Sequence, residues 1–84
     1  MGLKFHQDAL AGIPRQDASR LKNKIDWLWH NRSIVKHTPL KEELSGFFKK
    51  RLGKYRIIYT YDPDPDDMVI RKVGRREEIY RTPL

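Results

Sequence analysis

Residues 46–80 read GFFKKRLGKYRIIYTYDPDPDDMVIRKVGRREEIY, and through much of this stretch cationic and apolar side chains alternate with a period of two. That is the period of a β-strand, in which successive side chains point to opposite faces. Three strand-like runs follow, at residues 47–52, 54–61 and 68–73. Gly53 supplies a tight link between the first two. The run Asp62-Pro63-Asp64-Pro65-Asp66-Asp67 reads as a hairpin loop, because proline removes ladder donors and aspartate favours turns. The expectation is an antiparallel meander. In its first strand Phe47, Lys49 and Arg51 share one face while Phe48, Lys50 and Leu52 share the other. In its second, Tyr55, Ile57, Tyr59 and Tyr61 oppose Arg56, Ile58 and Thr60. If helices cover the Phe48/Leu52 face, Lys49 and Arg51 point outward and Arg56 joins them. Gly74 is expected to break the third strand, so that Arg75 and Arg76 leave it in a turn that bends back over that surface.

Upstream, residues 3–6 read as a short strand with Leu3 and Phe5 on one face. Asp8 suits the N-cap of a short helix, since its carboxylate can accept from the unpaired amides of a first turn. From Pro14, suited to a helical first turn, the chain runs to about Asn31 with Leu21, Ile25 and Leu28 at i, i+4 and i+7, a single apolar helical stripe. Trp27 and Trp29 flank it. Residues 31–45 carry Pro39 and no sustained period and read mostly as a connector, with Leu40 and Leu44 spaced to anchor a turn of helix on the core. The fold class expected is α+β: one domain over residues 1–84, with a small antiparallel sheet of three to four strands packed against two N-terminal α-helices.

Composition bounds the function. A chain of 84 residues is expected to hold one core, burying roughly 60 to 65% of its unfolded surface. It has no cysteine, so neither a disulfide nor a thiolate metal site reinforces it. His6, His30 and His37 have no metal-ligand spacing and read as surface or packing residues, so no metal and no cofactor is expected. No run of about 18 apolar residues is present to span a membrane, and MGLKFHQDAL lacks the apolar core of a secretion signal. A soluble cytoplasmic protein is the expectation. The net charge is +7, and residues 46–80 hold nine of the 18 Lys and Arg residues. Clustered like charges destabilise a compact state, so this bias points to an anionic partner such as RNA, DNA or an acidic protein segment.

Phosphoryl chemistry on RNA suits such a cluster. When a ribose 2′-OH attacks the adjacent phosphate, charge builds on the equatorial oxygens, and fixed guanidinium donors stabilise it more than they stabilise the ground state. Repulsion among crowded cations favours a neutral amine, which makes Lys49 the candidate general base. The usual acid/base histidines are missing from the basic strands, and Glu77 and Glu78 are the nearest carboxylates outside the loop. Such a site would be slow alone and would need its substrate positioned by a larger assembly. The competing reading of Lys49, Lys50, Arg51 and Lys54 is a solvated face. Phe48, Tyr55, Tyr59 and Tyr61 read as core, with Phe47 the exception, and Tyr80 reads either as a base-stacking residue or as a lid on the sheet edge.

The segments GFFKKRLGKYRIIY and VGRREEIY together resemble the RelE/ParE superfamily of toxin–antitoxin toxins, and more closely its RelE branch. The family pattern is a strand ending in a basic residue (Arg51), a glycine turn (Gly53), Tyr55-Arg56-Ile57-Ile58-Tyr59, and later Val73-Gly74-Arg75-Arg76 closing on Tyr80. The likeness spans essentially the whole chain. It implies a ribosome-dependent endonuclease that cuts mRNA in the ribosomal A site, leaving a 2′,3′-cyclic phosphate. By position it implies proton abstraction and phosphate binding for Lys49 and Arg51, and transition-state stabilisation for Arg56. It further implies a phosphate ligand or leaving-group acid in Arg76, and a residue that stacks on or orients the substrate in Tyr80. Lys50, Lys54 and Arg75 are candidate RNA-binding residues beside them. Two positions depart from the pattern. Lys50 stands where a core-facing apolar residue is usual, so either its stem snorkels or the register differs, and Arg75 stands where histidine is common. Residues 81–84 leave no room for a substantial C-terminal helix, so regulation through one is not expected. The implied partners are a cognate antitoxin, the ribosome and mRNA, with DNA reached only through the antitoxin in autoregulation. The alternatives are a ParE-like toxin that inhibits DNA gyrase, and a noncatalytic RNA-binding domain.

Overall fold

In the computed structural model, which describes residues 2–41, 44–75 and 79, Leu21, Ile25 and Leu28 form a fully buried stripe along helix α1 (Arg15–His30). Pro14 stands at its N-cap with φ −55° and offers no side-chain cap, while Asp17 in the first turn faces the positive end of the helix dipole. The helix stops at Asn31, whose side-chain amide donates to the Trp27 carbonyl at 2.8 Å.

The stripe packs on a five-stranded sheet built from β1 (Gly2–Phe5), β2 (Thr38–Pro39), β3 (Phe48–Leu52), β4 (Tyr55–Asp62) and β5 (Asp67–Arg75), in the order β1-β5-β4-β3-β2. The expected meander is present, since β3, β4 and β5 pair antiparallel in succession. The β3–β4 link is the two-residue loop Gly53–Lys54, with φ +57° at Gly53. A positive φ at the first central position is the II′ hairpin arrangement that glycine favours.

The remainder of the expected architecture needs correction. Five strands replace three to four, and the sheet is mixed, because β1 joins β5 in parallel. β2 arises inside the expected connector, pairing Thr38 with Lys49 and Pro39 with Phe48. Two residues are too few to show a period, and a sheet edge is where proline's missing donor is tolerated. The expected short helix after Asp8 is a series of turns. Asp8 has φ +65°, a left-handed conformation that cannot open a right-handed helix. α1 is therefore the one α-helix among the described elements. Gly74 does not break β5, which runs on through Gly74 opposite Arg56 to Arg75 opposite Tyr55.

β5 also carries a bulge. Ile58 pairs with Lys72 and Tyr59 with Ile70, which leaves Arg71 as the extra residue. The insertion keeps Met68, Ile70 and Val73 all in the core beneath α1 although their spacing changes from two to three. With Tyr55, Ile57, Tyr59 and the α1 stripe they make the main cluster, each fully buried aliphatic side chain contributing about 1.5–3 kcal/mol. Among the described residues no helix is long and apolar enough to cross a membrane.

Candidate functional site

The register of β3 on β4 decides which cations meet. Phe48, Lys50 and Leu52 lie opposite Tyr59, Ile57 and Tyr55, on the face that α1 covers. Lys49 lies opposite Ile58 and Arg51 opposite Arg56, on the other face. Directly paired side chains of adjacent strands sit about 4.5–5.5 Å apart at Cβ, so Arg51 and Arg56 are immediate neighbours. Gly74, paired with Arg56 on the far side, is buried and contributes no side chain of its own there.

Thr38, Lys49, Lys50, Arg51 and Arg56 line one cleft of about 450 Å³. Among the described residues no carboxylate is in ion-pair range of any of these four cations. Lys72 shares their face through its pairing with Ile58. Ile58 itself is fully buried yet lies outside the cluster beneath α1. Lys49 and Lys72 flank it by register, and aliphatic lysine stems cover apolar surface while their charges stay in water. The walls of the cleft are thus cationic. Such a surface fits a multiply charged anion, since guanidinium forks bind phosphate or carboxylate oxygens at two points.

Of the residues singled out by sequence, Lys49, Arg51 and Arg56 come together. Lys50 lies on the helix face by register and is partly buried. Its Nζ lies 5.6 Å from the Trp27 ring centroid, and the residue also lines the cleft. The snorkelling alternative for Lys50 therefore holds, with no change of register. Lys54 sits in the hairpin turn with its Nζ 5.4 Å from the Tyr55 ring centroid and does not line the cleft. Arg75 stays in β5 opposite Tyr55, exposed and on the α1 side by register, not folded back over the cations as expected. Arg76 and Tyr80, with Glu77 and Glu78, lie outside the described residues. No group of His, Asp or Glu among the described residues is arranged to hold a metal ion.

A tie that the sequence did not reveal stands at the other end of β4 and β5, by the loop 62–67. Arg32 donates through Nε to one Asp66 oxygen at 2.7 Å and through an Nη to the other at 2.8 Å. Its second Nη donates to the Trp29 carbonyl at 2.8 Å, and its guanidinium lies 3.7 Å from the Trp29 ring centroid. The hydrogen bonds from Arg32 hold the Asp66 carboxyl below its ordinary range, and the same bonds raise Arg32. Tyr61 also donates to Asp66, at 3.1 Å. Its hydroxyl titrates above its ordinary value, first through burial and then through that hydrogen bond. The loop 62–67 is thereby tied to the end of α1.

His37 continues the tie toward β2. Its Nε2 lies 2.9 Å from the Arg32 carbonyl, which can only accept, so in the neutral ring Nε2 carries the proton. Nδ1 then accepts from the Tyr59 hydroxyl at 2.6 Å. Burial pushes the Tyr59 hydroxyl up to about 12, so it remains a donor. Phe48, Tyr59 and Tyr61 surround the imidazole, their ring centroids 5.1–5.6 Å from its own. His37 is thus a packing residue, as its spacing led one to expect, and it fixes the chain just before Thr38 enters the cleft wall. A larger hollow of about 740 Å³ lies between β1 and α1, lined by Leu3, Phe5, Leu10 and Ile25 among others, away from the strand cations.

Comparison with known proteins adds a family to this geometry. A family model described as "ParE toxin of type II toxin-antitoxin system, parDE" matches residues 4–80. The chain is 44% identical to toxin RelG of Mycobacterium tuberculosis over 43 residues, an alignment that spans 51% of this chain and 49% of RelG. It thus spans about half the length of that curated relative. It is 30% identical over 77 residues to the protein named RelE1 of Methanocaldococcus jannaschii, covering 88% of this chain and 84% of that one. Among solved structures it superposes on a chain of the RelBE2 toxin–antitoxin complex of M. tuberculosis with a TM-score of 0.73 and 28% identity, covering 88% of each chain.

Proposed function

This chain belongs to the RelE/ParE superfamily of type II toxin–antitoxin toxins, with RelE-like relatives and fold, and we propose that it acts as a ribosome-dependent mRNA endonuclease that arrests translation. One observation carries the reading: Lys49, Arg51 and Arg56 line a single cleft on the face of the sheet away from α1, with no carboxylate in ion-pair range among the described residues. In this reading Lys49 takes the proton of a ribose 2′-OH, whose oxygen forms a bond to the adjacent phosphorus. The bond from phosphorus to the 5′-oxygen breaks, and that oxygen receives a proton, leaving a 2′,3′-cyclic phosphate. Arg51 and Arg56 hold the phosphate oxygens, where charge accumulates most in the transition state. Arg76 supplies a further phosphate contact or the leaving-group proton, and Tyr80 stacks on or orients the substrate. Lys50 holds neighbouring phosphates. Lys54 and Arg75 lie outside the cleft and serve as peripheral RNA contacts.

Among the described residues the cleft holds no conventional acid/base pair, and the ribosome supplies the alignment that the small domain does not. A cognate antitoxin neutralises the toxin by covering the basic face with an acidic or amphipathic segment, in the cytoplasm where the ribosome works. DNA is contacted only through that antitoxin.

A second reading has one observation in its favour, the ParE description of the matching family model. It would make the protein a gyrase inhibitor that cuts no nucleic acid. Expression in a translating extract, with mRNA ends mapped alongside a gyrase supercoiling assay, separates the two. Codon-phased cuts that disappear in Arg56→Ala and Arg76→Ala support the endonuclease. Intact mRNA with inhibited gyrase would sink it.

A further inference from the structure

Trp27 is 44% exposed on α1, although Leu28 beside it is fully buried. Two ammonium groups attend its ring, Lys24 Nζ at 4.1 Å and Lys50 Nζ at 5.6 Å from the centroid. Trp29 is the informative contrast. Its ring is capped by a guanidinium that Asp66 and the Trp29 carbonyl pin in place. That stack is closed and structural. The stack at Trp27 is open, for among the described residues no carboxylate is within ion-pair range of Lys24 or Lys50. Lysine is also a mobile point charge that can leave the ring for a phosphate.

Position completes the case. Lys50 lines the cationic cleft and at the same time reaches Trp27. β2 pairs with Phe48 and Lys49, so among the described residues nothing pairs with residues 50–52 of β3 on that side, which leaves them as an edge between the cleft and the indole. We infer that Trp27, flanked by Lys24 and Lys50, is a stacking platform for an unpaired RNA base. The strand whose phosphate occupies the cleft crosses this edge and is held on both sides of it. The inference rests on the reading that the cleft takes RNA phosphate. The chemistry favours single-stranded RNA over a duplex, because only a splayed base offers its face to an exposed ring. Lysines beside the ring suit the phosphates on either side of that base.

The test is binding of a short unstructured oligoribonucleotide at low salt, compared with an abasic oligomer of equal charge. Tryptophan fluorescence is read in a Trp29→Phe background so that only Trp27 reports. The expected result is quenching by the oligoribonucleotide and none by the abasic oligomer. Trp27→Ala should weaken oligoribonucleotide binding by about 5- to 150-fold, the range of one base–aromatic stack, and leave abasic binding unchanged. Trp27→Phe should restore part of the loss. Lys24→Ala should lower the slope of log affinity against log salt by about 0.7, one single-strand phosphate contact. Equal loss for both oligomers in Trp27→Ala, or no loss for either, overturns the platform. If Arg56→Ala weakens both oligomers while Trp27→Ala weakens neither, the platform fails and the cleft stands. If Arg56→Ala weakens neither, the cleft reading itself has failed and the platform falls with it.

Discussion

Arg56 is placed for charge rather than for shape. It lies beside Arg51 across β3 and β4 and pairs with Gly74 on the other side, so the β5 residue directly opposite adds no side chain to compete for a phosphate. Removing one donor aimed at developing charge costs about 10²- to 10³-fold in rate. Arg56→Ala should therefore slow single-turnover cleavage by that factor. Arg56→Lys should recover little, since the planar fork is lost. Unfolding curves for both variants should match the parent, because Arg56 supports no described hydrogen bond of the core. A rate loss of only a few-fold would mean that Arg56 does not face the reacting phosphate. His37 is the opposite kind of residue, remote from chemistry but tied into packing. His37→Ala leaves the buried Tyr59 hydroxyl without its acceptor, at a cost of about 1–3 kcal/mol. Adding Tyr59→Phe should return part of that stability, as urea midpoints would show, whereas additive losses would sink the hydrogen-bond account.

The β3–β4 hairpin is the element on which the cleft depends, since it carries Lys49, Arg51 and Arg56 in one register. Gly53 holds that register with φ +57°. Gly53→Ala should cost about 1–3 kcal/mol of stability in urea unfolding, the usual strain of a side chain in such a conformation. It should also reduce cleavage beyond what the stability loss explains, because a slipped register would send Arg51 to the α1 face. The loop 62–67 responds instead to pH. The Asp66 carboxyl is held below its ordinary range by Arg32, so the stability it contributes is present above the unfolded value of about 3.9. It is lost as pH falls through the lower folded value. Thermal midpoints of the parent should fall on acidification below about pH 4 more steeply than those of Asp66→Asn. Equal slopes would remove Asp66 from the acid limb.

These elements also show what the sequence could and could not reveal. The hairpin was readable because alternation, a glycine turn and a proline-bearing loop all agree on one structure. The stripe of α1 was readable for the same reason. β1 finds its partner some sixty residues away, and nothing local encodes the direction of that pairing. β2 is two residues long and has no period. The bulge at Arg71 left one trace, the shift in apolar spacing between Ile70 and Val73. An unbroken alternation would have put Lys72 in the core and Val73 outside it, so that shift was the available signal for Lys72. At the cleft, alternation alone separated Lys49 and Arg51 from Lys50. The platform at Trp27 and the Arg32–Asp66 tie depend on contacts between segments far apart in the chain, which composition and periodicity do not carry.

For the molecule as a whole, a charge of +7 on 84 residues must be offset by a small core, and four of its cations are gathered in one cleft. Two effects of salt should then be separable. Any salt screens the self-repulsion, with a Debye length of about 8 Å at 0.15 M, and so raises the thermal midpoint. An anion that fits the cleft adds stability by mass action: at ten times its Kd the gain is about 1.4 kcal/mol, which for a domain of this size is about 6–11 °C. Phosphate should therefore stabilise the protein more than chloride at equal ionic strength. Exclusion of phosphate from protein surfaces also favours the folded state, so the decisive measurement is the phosphate excess in an Arg51→Ala/Arg56→Ala double variant. Loss of most of that excess, with the chloride response largely retained, would identify the cleft as the anion site. An undiminished excess would assign the effect to surface exclusion and leave the cations of β3 and β4 without a demonstrated ligand.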